Sequence, residues 1–138
     1  MSNIIKITAM MLALALAGRC AQAAEPTVIN LSCDGTMGIV GDQTGTLAPV
    51  TKMGLVVNLA ERTVSGFSVV ARIDRADAVS ISFSNQNSPY LGGAYSVMGG
   101  IDRVTGAAWA TTALEASDKK IIMNDTYDLV CKVTNRLF

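Results

Sequence analysis

The side chains in this 138-residue chain that could do chemistry are few, and their types exclude more than they suggest. There is no histidine, which removes Ser-His-Asp and Cys-His nucleophilic sites and histidine-bearing zinc sites. Of three cysteines, Cys33 and Cys131 are the two that follow an N-terminal leader, and an oxidised pair offers neither a nucleophile nor a metal ligand. The carboxylates Glu61, Asp74, Asp77, Asp102 and Glu115 could in principle supply a glycosidase-like pair, which needs two acids about 5–10 Å apart across a cleft. Their contexts argue for a plainer role. Glu61 and Asp102 stand in turn sequences, and Arg72, Asp74, Arg75 and Asp77 alternate as a solvated charged edge. Asp34 and Asp42 flank a glycine-rich stretch but lack the spacing of a calcium loop. No phosphate-binding glycine loop of Walker or Rossmann spacing occurs. The expectation is a protein that is not an enzyme and uses no cofactor or metal.

Trp109, the single tryptophan, is the one candidate ligand-binding residue. Its neighbours Ala107, Ala108, Ala110 and Thr111 are small. An indole among them either floors a ligand cavity or fills the core that the alanines leave empty, and the second role is the commoner. Met37, Met53, Met98 and Met123 are scattered along the chain and read as packing residues.

Residues 1–23 read as a cleaved secretory signal peptide. Lys6 precedes an apolar run over 7–18, and Ala21 and Ala23 place small residues before a cut. Arg19 breaks the lipobox that would otherwise end at Cys20. Residues 24–138 then form a single β-domain, expected in the periplasm or the medium. They hold no run near the ~20 apolar residues of a membrane helix. Their nine Lys and Arg against eleven Asp and Glu, with no basic cluster beyond Lys119 and Lys120, exclude a nucleic-acid face.

The hydrophobic period of this domain is two. Residues 79–84 alternate Val79, Ile81 and Phe83 with serines, and 127–133 put Tyr127, Leu129, Cys131 and Val133 on one face. Cys33 falls on the inward parity of 29–34 in the same way. The two cysteines are thus either bonded or a pair of buried thiols, and an oxidising compartment favours the bond. It would close a loop of about 98 residues, stabilising by ~4–5 kcal/mol in the chain-entropy picture. Two hairpins share a turn pattern of acid, Arg, hydroxyl and Gly, at 61–66 and 102–106. Glycine-rich 35–45 and 85–93 read as exposed loops, and 113–118 could hold one helical turn. The expected fold is all-β, a small antiparallel meander barrel or sandwich of seven to eight strands. Val69, Ile81, Phe83, Val97, Trp109 and Leu129 should be buried, and Ser80, Ser82, Arg72 and Lys132 exposed.

The segments 31–36, 54–67, 100–112 and 127–132 resemble those of small uncharacterised exported proteins of alphaproteobacteria, which implies export. In architecture the chain is also similar to periplasmic inhibitors of c-type lysozyme. Their inhibitory loop has Ser-Gly followed by a basic residue and Tyr, whereas Ser65 and Gly66 are followed here by Phe67, Ser68 and Val69. Together these readings lead to an exported non-enzymatic β-domain that binds a small apolar ligand or an envelope protein. Inhibition of a hydrolase is the alternative.

Overall fold

Eight antiparallel strands close into a barrel in simple sequence order, with the last strand returning to the first. The computed structural model describes residues 25–39 and 45–134. The expected leader with its cut site, Cys20 and Asp42 lie outside them. The strands are β1 (Val28–Ile39), β2 (Leu47–Asn58), β3 (Thr63–Ser65), β4 (Ala71–Ala76), β5 (Ser80–Tyr90), β6 (Gly93–Asp102), β7 (Ala107–Glu115) and β8 (Ile121–Val133). Of the two architectures that the alternation allowed, the barrel is the one adopted. The described residues contain no helix, so 113–118 is the end of β7 and a turn.

Closure is made by β1 and β8, where Cys33 and Cys131 are direct register partners. Their sulfurs are 2.04 Å apart and their Cα atoms 4.0 Å, well inside the ~7 Å beyond which a bridge cannot form. Register shifts at Cys33/Gly35, Ile73/Arg75, Asn85/Ser88 and Leu114/Glu115 bend the strands and raise their twist, as curling a sheet onto itself requires. At the first shift the Lys52 N–H donates to the Asp34 carboxylate at 2.9 Å, so Asp34 serves the bulge.

The inward parity is apolar. Leu55, Val57, Val64, Val97, Leu129 and Cys33 are fully buried, together with the polar Thr112. Residues 66–70, between β3 and β4, turn Phe67 into the barrel. Its ring lies 5.8 Å from that of Phe83 and 5.9 Å from that of Tyr127, within the range of favourable aromatic pairs. Ile81, Phe83, Val97 and Leu129 are buried as expected. Val69 is only half-buried, because it lies in that irregular connection and not on a strand. Arg72 and Lys132 are exposed, while Ser80 and Ser82 are half-buried on the outer face.

In both expected loops strand extends into the described residues. β1 runs on to Ile39, and β5 and β6 run through 85–93 with a bulge and a two-residue turn. Leu91 and Gly92 both have positive φ, 46° and 79°, the requirement of the tight turn whose twist matches a hairpin. A leucine there is strained, and at 84% exposure it gains little from burial. Leu91→Asn should therefore raise the unfolding free energy by about 0.5–1 kcal/mol. A chemical melt with an unchanged or lower midpoint would refute this.

The three turns at the opposite end share one device. Asn58 accepts the Glu61 N–H at 3.0 Å, Asp77 those of Val79 and Ser80 at 3.0 and 2.8 Å, and Asp102 those of Val104 and Thr105 at 2.8 and 2.9 Å. This corrects the alignment read from sequence, which matched Glu61 with Asp102. The structural counterpart of Asp102 is Asn58, and four residues on, Arg62 (φ 55°) stands where Gly106 (φ 78°) does.

Candidate functional site

Trp109 is on the outside. It is 52% exposed, so the expectation that it is buried in the core is overturned. The reason is volume: Ala108, Ala110 and Thr112 take the inward parity of β7, opposite a space already occupied by Phe83, Phe67 and Tyr127. Small residues fit there and an indole does not.

What holds the indole is a pair of glycines in the middle of β6. Glycine weakens a strand interior, and its presence there marks a close approach of neighbouring atoms. A Cβ on Gly99 would fall 2.5 Å from the Phe83 ring and 2.5 Å from the Trp109 carbonyl. One on Gly100 would fall 2.8 Å from Trp109 Nε1 and 3.3 Å from Cε2. Gly99 thus admits a ring inside the barrel, and Gly100 admits one outside it. The side chain of Trp109 lies over Gly100, its register partner on β6, with Asp128 its partner on β8.

Around the indole runs a shallow groove of about 460 Å³, lined among others by Val79, Ser82, Gly100, Val104, Trp109 and Asp128. Val79, Val104 and, alongside, Met98 and Val130 are each more than half exposed. Met98 therefore faces outward and is not the packing residue its sequence context suggested, whereas Met123, on the inward parity of β8 opposite the buried Leu114, is partly exposed at 38%. A second concavity, about 340 Å³, opens at the barrel mouth over Leu31, Val57, Ile81, Ile101 and Cys131, edged by the 102–106 turn. Arg103 draws the turns at this end together. It donates to the Asp77 carbonyl at 2.5 Å and pairs with Glu25, and Arg62 likewise donates to the carbonyls of Ile73 and Asp74.

The acids named from sequence serve mainly local structure. Asp77 and Asp102 hold their own turns, Asp74 is exposed on β4, and Glu115 ends β7 at the far side. Hydrogen bonds from Val79 and Ser80 N–H, aided by the Ser80 hydroxyl and Arg75 and opposed by partial desolvation, hold the Asp77 carboxyl below its ordinary 3.8. Bonds from Thr105 and Val104 N–H do the same for Asp102. A depressed carboxyl stabilises the fold fully above its unfolded value and ceases to do so as pH falls through the lower folded one. The acid limb of a thermal-melt series from about pH 5 to about pH 2 should therefore flatten in Asp77→Asn/Asp102→Asn. An unchanged limb would contradict the turn bonds. Inside the barrel, burial pushes the Tyr127 phenol up, with Tyr95 and Asp125 adding to the shift and the Thr112 hydroxyl opposing it. It stays protonated at neutral pH and is no base.

The segment 85–90, which as a rigid projecting loop would have suited an inhibitor, is a bulged strand. Asn85 Nδ2 donates to the Val70 carbonyl at 2.6 Å, and the Asn87 N–H donates to Ser96. Among the described residues no cluster of His, Cys, Asp and Glu could hold a metal, and no helix is long and apolar enough to cross a membrane. No family model, curated protein or solved structure matches the chain. The site thus stands on its own geometry. Sequence reading had named Trp109 but missed its partners Gly100, Ser82 and Asp128. The two consecutive glycines inside a strand pattern were the signal for them.

Proposed function

We propose that the protein is an exported, non-enzymatic binding barrel that engages an envelope protein through the outer face centred on Trp109. The observation that supports this is the indole itself, half exposed over Gly100 in a groove shared with the exposed Val79 and Val104, with exposed Met98 and Val130 at the next outward positions of β6 and β8. Clustered exposed apolar groups of this kind mark interaction surfaces, and tryptophan is enriched among residues that dominate binding energy. The leader-like N-terminus and the Cys33–Cys131 pair suit an oxidising compartment. An apolar interior, with Ser80, Ser82, Asp128 and Lys132 on the outer face, is the reverse of the alternation of a membrane-spanning barrel.

Photo-crosslinking tests the proposal. A benzophenone side chain at Ser82, beside the indole, should give a discrete protein adduct in the native envelope, lost in Trp109→Ala. The same group at Thr51, exposed on β2, should give none. Equal labelling from both positions, or none from Ser82, would overturn it. The mouth concavity favours a second reading, a small apolar ligand, since its volume reaches the lower end of ligand pockets at ~300–1,000 Å³. In that case an anilinonaphthalene sulfonate probe should brighten on binding, and Val133→Arg at the rim should abolish the effect.

A further inference from the structure

We propose that the Trp109 groove recognises an arginine side chain presented by the partner protein, an inference that rests on the reading of this face as a protein-binding site. Three features of the groove point to a planar cation.

The first is the platform. With one side of the indole over Gly100, the exposed remainder is open to a ligand, and tryptophan offers the strongest aromatic attraction for a cation. The second is the carboxylate beside it. Asp128 is the direct register partner of Trp109, and side chains so placed have Cβ atoms about 4.5–5.5 Å apart. One group can therefore touch both ring and carboxylate. Asp102 joins the same groove from β6, and the backbone N–H groups of its turn keep it ionised. The third is the absence of local neutralisation. Among the described residues no Lys or Arg lines the groove; Lys132, two outward positions beyond Asp128 on β8, is exposed and stands outside the lining, and the two arginines nearest the lining in sequence are engaged elsewhere. Arg75 pairs with Asp77 at 3.1 Å, and Arg103 with Glu25 and the Asp77 carbonyl.

At the Trp109 face β6 and β7 are paired on both sides, so an extended partner cannot dock there by adding a strand. It must be held by side chains. A guanidinium meets the requirement better than an ammonium, because its plane stacks on an indole while its N–H fork pairs with a carboxylate. An anionic partner would meet Asp102 and Asp128 at close range and be repelled.

Because Trp109 is the sole tryptophan, its fluorescence reads this site alone. The probe is acetyl-Arg-Gly-Arg-amide, titrated into the exported protein against the same peptide with citrulline, which keeps the shape and loses the charge, or with lysine. The arginine peptide should give a saturable change, with binding about tenfold weaker for citrulline and several-fold weaker for lysine. Raising salt from about 50 to about 500 mM should weaken it, and so should Asp128→Asn, by about tenfold. Asp128 is exposed, and an unchanged melting midpoint will show that this variant is folded. No saturable change, equal binding of the citrulline peptide, or full binding by Asp128→Asn would overturn the inference. If the Ser82 crosslink still depends on Trp109 while the peptide is silent, arginine recognition falls and the partner reading stands. If both fail, both fall.

Discussion

Replacing Cys33 and Cys131 together by serine is expected to lower the unfolding free energy by about 4 kcal/mol. The bond closes a loop of 98 residues, and its loss returns that loop's freedom to the unfolded chain. The folded state changes little, because β1 and β8 keep a continuous register from Leu31↔Val133 to Ile39↔Asp125 without it. For a domain of this size the melting temperature should fall by roughly 15 °C. Reduction of the native protein should do the same, since both treatments act on one bond. A drop of only a few degrees in calorimetry would mean that the serine variant's unfolded chain stays compact or that the bond is not closed in solution.

Gly99→Ala is expected to cost about 2–3 kcal/mol, whereas Gly100→Ala, one residue on, should cost less than about 1 kcal/mol. The contrast follows from what each new methyl meets. At Gly99 it would press on the Phe83 ring inside a filled barrel and on the Trp109 backbone carbonyl, and neither can move without disturbing the β6–β7 ladder. At Gly100 it meets the tip of the Trp109 side chain, which is half exposed and free to swing outward. Gly100→Ala should therefore report in Trp109 fluorescence more than in the denaturation midpoint. Equal destabilisation by the two substitutions would mean that the indole is packed as firmly as the core and is no accessible platform.

These glycines show where sequence reading reached its limit. The strand at 79–84 was legible because serines separate its apolar residues, so only one parity can face a core. The same logic placed Cys33 and Cys131 inward and brought the chain's first and last strands together. In 107–112, alanines occupy both parities, and alternation has nothing to separate. The turns were recognisable as turns from their acids, hydroxyls and glycines. Their register was not, because Asn58 and Glu61 are both capable of capping and only the backbone path selects Asn58. Likewise 35–45 and 85–93 have loop composition, yet 35–39 and most of 85–93 are paired, since a barrel wall supplies neighbours that glycine and asparagine do not seek on their own.

The amino-acid sequence by itself determined an all-β chain with one apolar face per strand, a cysteine pair positioned to join its ends, and no histidine-based chemistry. These are local properties, set by side-chain type and a period of two. The choice of a closed barrel, the outward face of Trp109 and its company of Gly100, Ser82 and Asp128 were decided only in the tertiary structure. They depend on how much volume Phe67, Phe83 and Tyr127 fill together across the interior. That quantity belongs to two strands and a connection at once, and no single segment of the chain contains it.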